Sequence, residues 1–363
     1  MIPVYKPYFT KKTLSYAHDA IDSEWVSSIG YYIKASEEKL KEILGVNYVL
    51  LTNNGTSATH LVAKTINNSK SSIVVSNGVY VAAWNSFLYD NLCRKLIFVE
   101  QDLKTWNMDM KDLELKLVSN PNVKNILIVH NLGNPINVPV LKQKYKNITF
   151  LEDNCEGLFG KYSNQYTGTS SLASSISFYG NKNITSGEGG AFITNSEEEY
   201  LKAKQYHGQG QSAKRFIHND LGNNYRMTNV QAALLFGQLE LWPEIKNLKN
   251  EIFQYYKQSL RNVDEIEFQE VDNDCEHSNW MFGIRIKNSP GFDIAQDYFN
   301  KNGIEIRPMF YPANFHGHIK AKPSKNSNIL NKECIILPSY PSLQKHEQEL
   351  IVSTIKNFIQ QYC

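Results

Sequence analysis

Lys182 stands in SFYGNKNITSGEGG (177–190), after an aromatic strand end and before a loop of small residues. In the plainer reading it is a turn lysine facing water, since Gly180 and Asn181 favour turn conformations. An ε-amine held there can also attack a carbonyl carbon. Asp153, in LEDNCEG (151–157), follows the apolar run ITFL, where a carboxylate needs a cationic partner to be tolerated near the core. The stretch TNNGTSATH (52–60) joins a strand to a helix start through Gly55, Thr56 and Ser57. Unpaired backbone N–H groups, the positive end of the helix dipole and two hydroxyls make an anion site there. No Gly-Lys-Ser/Thr follows, so the site suits one phosphate better than a nucleoside triphosphate; an ordinary N-cap is the plainer use of Thr56 or Ser57. Ser177 adds a hydroxyl donor to the lysine segment.

An amine, an acid and a single-phosphate site are together the requirements of pyridoxal 5′-phosphate (PLP). The amine takes the aldehyde as a Schiff base, the acid keeps the ring nitrogen protonated as an electron sink, and the helix start takes the phosphate. Tyr80, in NGVYVAAWN, follows a strand and is placed to stack on the ring; otherwise it is a core aromatic.

These residues need a scaffold that brings strand ends together. Leu14, Ala17, Ile21 and Trp25 recur at helical spacing and predict a helix over 11–24. A second helix is predicted after Ser36 as N-cap, ending at Gly45. Buried strands are predicted at 48–52, 72–75, 95–100, 125–130 and 147–153, with helices at 57–66, near 80–90, at 109–118 and at 139–146 between them. SISFY (175–179) and GAFITN (190–195) add two strands. This alternation specifies an α/β fold with a mostly parallel mixed sheet covered on both faces. Its ligands are expected outside the carboxyl ends of the strands. A helix over 227–242 is expected to end at Pro243. A helix over 244–261, strands in FGIRI and EIRPMF, and a terminal helix over 344–361 follow. A boundary near 242–246 divides a large α/β domain (1–243) from a smaller α+β domain (244–363).

A chain of 363 residues with 42% hydrophobic residues can bury such a core. A net charge of +2 gives no electrostatic footprint for nucleic acid. Cys93, Cys155, Cys275, Cys334 and Cys363 form no CxxC pair and no His/Cys cluster, so reduced thiols are expected and no metal site. The start MIPVYKPYFTKKT has no signal-peptide layout and no run is long enough to span a membrane, so a soluble cytoplasmic protein is expected.

The chain resembles the DegT/DnrJ/EryC1/StrS family of nucleotide-sugar aminotransferases, of PLP fold type I, over nearly its whole length. NNGTSATHL is similar to the family's N-S-G-T-A/S-A-L-H, LEDNCEGLFGKY to its E-D-x-x-[QE]-x-x-G-x-x-Y, and GNNYRMTNVQAA to its G-Y-N-Y-R-M-T-x-x-Q-A-A. IRPMFYP (306–312) and LPSYPSL (337–343) resemble its substrate-side motifs. The resemblance implies Lys182 as the Schiff-base lysine and Asp153 as partner of the pyridine nitrogen. It places Glu156 near the ring hydroxyl, as in the perosamine-synthase-like branch, with Gly55, Thr56 and Ser177 on the phosphate and Tyr80 on the ring. Arg307 and Tyr311 fall in a substrate-side motif. Asn224 is implied to reach the phosphate of a neighbouring subunit, hence a homodimer with shared sites. The form GNKxITxGEGG is most like enzymes that aminate C4 of a 4-keto-6-deoxy sugar nucleotide, as in perosamine or viosamine synthesis, with L-glutamate as donor. Alternatives are a C3-directed sugar aminotransferase and a non-catalytic PLP-binding regulator. A PLP-dependent sugar dehydratase would carry histidine where Lys182 stands. Two departures occur: NGVYVAAW lacks the usual T-x-x-A-N register, and Asn223 replaces a common tyrosine.

Overall fold

A computed structural model describes residues 1–66 and 71–363. After helices α1 (Lys11–Asp22) and α2 (Tyr31–Leu44) the chain alternates strand and helix: β1 (Tyr48–Thr52), α3 (Gly55–Thr65), β2 (Ser72–Ser76), α4 (Ala82–Leu88), β3 (Lys95–Val99), α5 (Met110–Ser119), β4 (Asn125–Val129), α6 (Val138–Lys144) and β5 (Thr149–Asp153). A short hairpin, β6 (Lys161–Tyr162) and β7 (Gln165–Tyr166), precedes β8 (Ser174–Ser177), β9 (Gly190–Thr194) and α7 (Glu197–His207). The main sheet has the order β1-β9-β8-β5-β4-β2-β3, with β9 antiparallel to both its neighbours and the remaining pairs parallel. Strands such as Asn125–Val129 are buried along their whole length because helices cover both faces. The expected α/β sheet is therefore present.

Two helix boundaries differ from the sequence reading. Ser36 does not begin α2; it lies buried inside it and donates to the Ala232 carbonyl at 2.9 Å. The first turn is instead completed from elsewhere in the chain, since Asn229 Oδ1 accepts from Tyr32 N at 3.0 Å and its Nδ2 donates to Trp25 O at 2.7 Å. Gly30 permits this approach, because a Cβ there would lie 2.2 Å from Asn229 Cγ. The expected stop at Gly45 holds: it takes the left-handed conformation at φ 68°.

Pro243 does not end a helix either. Helix α8 (Asn229–Leu260) runs unbroken for 32 residues with Pro243 inside it. Its start is a capping box in which Thr228 and Gln231 satisfy each other's backbone N–H groups. Beyond it come β10 (Ile266–Phe268), β11 (Cys275–Glu276), β12 (Phe282–Ile286), α9 (Phe292–Lys301), β13 (Arg307–Pro308), α10 (Lys325–Glu333), β14 (Cys334–Leu337) and α11 (Lys345–Tyr362). Of the expected EIRPMF strand only Arg307–Pro308 pairs, in a sheet of order β10-β12-β14-β13.

Apolar residues of α8 up to Ile245 pack with α1, α2 and the main sheet, whereas Ile252, Phe253 and Tyr256 pack against β12, α9 and α11. Ile2 joins the second group through a bridge to Ile304. We propose that these groups correspond to domains 1–243 and 244–363, with the first few residues of the chain lent to the second.

Candidate active site

Strand β5 delivers two successive carboxylates to opposite faces of the sheet, as the strand period requires. Glu152 points into protein. It accepts from Gly168 N at 2.8 Å, Ser171 N at 3.1 Å and His130 Nε2 at 3.0 Å. Because Ile136 N donates to His130 Nδ1 at 3.1 Å, the imidazole carries its proton on Nε2. Burial raises the Glu152 carboxyl, but His130 and the loop N–H groups outweigh it and hold it below the usual range.

Asp153 points the other way, into a cavity of about 660 Å³. It is buried, and its Oδ1 accepts from Cys155 N at 3.1 Å and from Ser175 Oγ at 3.4 Å. No hydrogen bond reaches Oδ2 among the described residues. A buried side chain with one carboxylate oxygen left open to the cavity calls for a cationic or N–H partner there.

The first turn of α3 forms another wall. Asn54 caps it by accepting from Ser57 N at 2.8 Å, which leaves Gly55 N and Thr56 N without partners among the described residues. Ser177, at the end of β8, comes so close that a Cβ on Gly55 would lie 2.7 Å from the Ser177 Cβ and 2.9 Å from its Oγ. Two free N–H groups, a helix N-terminus and a hydroxyl thus converge on one point, a donor set suited to a phosphate.

Lys182 closes the cavity on a third side. Its backbone N–H donates to the Tyr179 carbonyl at 2.9 Å, its carbonyl accepts from Tyr5 OH at 2.6 Å, and Nζ lies 3.8 Å from the centre of the Trp280 ring. Glu156 faces the same space and accepts from Leu132 N at 2.8 Å. Burial pushes its carboxyl up to about 7, against the opposing pull of Lys182 and the Leu132 N–H.

That shift has a measurable sign. Between the ordinary carboxylate range and pH 7 the folded chain holds a proton that the unfolded chain has released, so stability falls as pH rises through this window. Glu156→Gln keeps the acceptor for Leu132 N and removes the ionisation. Its melting temperature relative to wild type, measured on the apoprotein, is expected to climb between pH 5 and pH 8, by the equivalent of on the order of 3 kcal/mol. A difference flat in pH would show that Glu156 titrates normally.

The cavity mouth carries Tyr80, Arg307 and Tyr311, all among its lining residues. Tyr80 is 58% exposed in the single chain, with its ring centre 6.0 Å from that of Phe310. Arg307 pairs with Glu305 at 3.5 Å. Asn224 is not on this wall. It is exposed, bridges to Gly208 through its backbone, and its Oδ1 accepts from Arg226 N at 3.4 Å. The structure therefore brings nine of the ten expected residues to one cavity and leaves Asn224 outside it. The sequence reading missed Trp280, Phe310 and His316, which also line it. Trp280 had a readable signal, since it lies just before the strand FGIRI. Among the described residues no His/Cys/Asp/Glu group is arranged to hold a metal, and no helix is long and apolar enough to cross a membrane.

Three comparisons with known proteins bear on this site. The sequence profile of the DegT/DnrJ/EryC1/StrS aminotransferase family matches residues 7–356. The chain is 33% identical to a GDP-perosamine synthase of Escherichia coli O157:H7, with 98% of each chain covered. It is 32% identical to a GDP-perosamine synthase of Vibrio cholerae, with 99% of each covered. Among solved structures it is similar to Helicobacter pylori PseC, an aminotransferase involved in the biosynthesis of pseudaminic acid, at a TM-score of 0.92 and 23% identity over 99% of both chains. At that identity the likeness concerns the fold.

Proposed function

The chain belongs to the DegT/DnrJ/EryC1/StrS aminotransferase family, and on that premise we propose that it uses PLP to transfer an amino group from L-glutamate to C4 of a nucleotide-linked 4-keto-6-deoxy sugar. The observation that carries the reading is the convergence of Lys182, the free Asp153 oxygen and the unpaired N–H groups of Gly55 and Thr56 on one cavity. The full-length likeness to GDP-perosamine synthases favours a GDP-linked sugar and the 4-amino-4,6-dideoxy product.

The donor set fits PLP on the chain's own terms. Gly55 N, Thr56 N and Ser177 Oγ bind the phosphate. Asp153 Oδ2 accepts from the protonated ring nitrogen. Tyr80 covers one ring face, and Glu156, its carboxyl raised by burial, stands by the ring hydroxyl. When bound, the cofactor supplies an electron sink for the Cα–H bond of the donor and carries the amine between two substrates. Lys182 Nζ would hold the aldehyde carbon and, as a free amine, would take and return the substrate proton as a general base and acid. Arg307 and Tyr311, at the mouth, contact the sugar nucleotide. The two half-reactions share one site, so kinetics should be ping-pong.

The exposed position of Asn224 supports its use by a neighbouring copy, with each phosphate site completed across a homodimer. Trp25, Ile29, Tyr31, Phe216 and Leu221 are also exposed, apolar side chains available to such a copy. The activity is tested with GDP-, dTDP- and UDP-linked 4-keto-6-deoxy sugars and L-glutamate, read by mass spectrometry. The expected result is amination of the GDP-linked substrate. Amination of a 3-keto substrate with no turnover of any 4-keto substrate would overturn the C4 assignment.

A further inference from the structure

Lys249 lies in α8 with a relative exposure of 0%, and no carboxylate pairs with it among the described residues. Burial alone draws its ammonium down to about 7. A buried amine without a counter-ion opposes folding unless every donor is used. Its Nζ donates to the carbonyls of Trp280 and Ser339, each at 3.0 Å, and lies 5.1 Å from the centre of the Tyr5 ring.

Both aromatic neighbours lead to the reactive lysine. Trp280 Nε1 donates to the Asn181 carbonyl at 2.7 Å, and its ring face lies 3.8 Å from Lys182 Nζ. Tyr5 OH donates to the Lys182 carbonyl at 2.6 Å. Two consecutive peptide carbonyls beside the reactive amine are thus held by the side chains of Trp280, whose own backbone carbonyl accepts from Lys249, and of Tyr5, whose ring lies beside the Lys249 amine. The segment carrying Trp280 is tied to the same loop again, since Asn183 Nδ2 donates to Ser278 O at 2.9 Å.

We propose that Lys249 is a positioning residue for the reactive lysine: through Trp280 and Tyr5 it fixes the Asn181–Lys182 backbone and the aromatic face against which the Lys182 amine rests. The inference rests on reading Lys182 as the amine that bonds to PLP. In that step the neutral Nζ adds to the aldehyde carbon, and the aldehyde oxygen leaves as water with the two amine protons. A C=N bond replaces C=O and no electrons are exchanged. Attack needs Nζ within about 3.5 Å of the carbon and aligned with it, and loosening its backbone reduces the time spent there.

The test uses wild type, Lys249→Met and Tyr5→Phe as full-length apoenzymes. The first variant removes the buried donors at similar volume; the second removes one hydroxyl. Each is mixed with PLP in a stopped-flow spectrometer and the growth of the covalent cofactor band is followed. Affinity for pyridoxamine phosphate, which needs no covalent bond, reports the rest of the site. Borohydride reduction and peptide mapping identify the lysine modified. The expected result is covalent capture slowed about 10-fold or more in each variant, with pyridoxamine phosphate affinity within about twofold of wild type. Capture at the wild-type rate in both variants, or slowing matched by an equal loss of pyridoxamine phosphate affinity, overturns the proposal. Attachment at a lysine other than 182 overturns the reading of Lys182 and the inference with it. If Lys249→Met does not fold, Tyr5→Phe decides the matter alone.

Discussion

Lys182→Ala is expected to lower steady-state transamination by on the order of 10,000-fold or more, because one side chain supplies both the resting attachment of the cofactor and the proton transfer. The fold should survive. The hydrogen bonds that shape this turn use the Lys182 backbone N–H and carbonyl, which alanine retains. Gly55, Thr56, Ser177 and Asp153 are untouched, so the variant should still bind pyridoxamine phosphate. Circular dichroism checks the fold, cofactor titration the binding and product formation the activity; retained multiple turnover would sink the assignment. The same variant tests the shared site. Mixed with Asn224→Ala subunits, it should form some heterodimers in which one site has Lys182 and Asn224 from opposite chains, and part of the activity should return. No recovery in proven heterodimers would place Asn224 outside the partner's site.

Asp153→Asn is expected to slow the donor half-reaction by about 100- to 1,000-fold, the range seen when one preorganised electrostatic group is removed from a site. The substitution preserves shape. The amide oxygen can take over from Oδ1, which accepts from Cys155 N and Ser175 Oγ, so the NH2 group falls where Oδ2 faced the cavity. There a donor meets the ring N–H and the charge that kept the ring protonated is gone. Single-turnover bleaching of the cofactor band by L-glutamate, without sugar, measures the step. A wild-type rate would mean that Asp153 is not the ring partner.

The features legible in the sequence were those set by local pattern. Runs such as YVLLT and NILIV are continuously apolar through their centres (Val49–Leu51 and Ile126–Val129), which marks strands buried on both faces. Gly45 was readable as a helix stop because a left-handed C-cap favours glycine. Lys182, Asp153, Gly55 and Ser177 were readable because each sits at or just beyond the end of such a run. The motif match then ordered them into one family. The missed boundaries share a cause. Ser36 looked like a cap, but α2 is capped by Asn229, a residue some two hundred positions away that no local window contains. Pro243 looked like a stop, but α8 packs against the main sheet on one side of it and the C-terminal core on the other, and those contacts outweigh one missing hydrogen bond.

By itself the sequence determined the α/β alternation, the candidate lysine and acid, and the family, since these depend on residue type and spacing along the chain. It could not show why the two adjacent carboxylates differ as chemical groups. Glu152 is satisfied by His130 and two loop N–H groups, while Asp153 keeps an oxygen free, and only the packing of residues 130, 168 and 171 around one face of β5 makes that difference. Nor could it bring Tyr5, Lys249 and Trp280 to the loop of Lys182. Their meeting depends on where the N-terminal segment, the far half of α8 and the start of β12 come to rest, and long-range packing alone sets that.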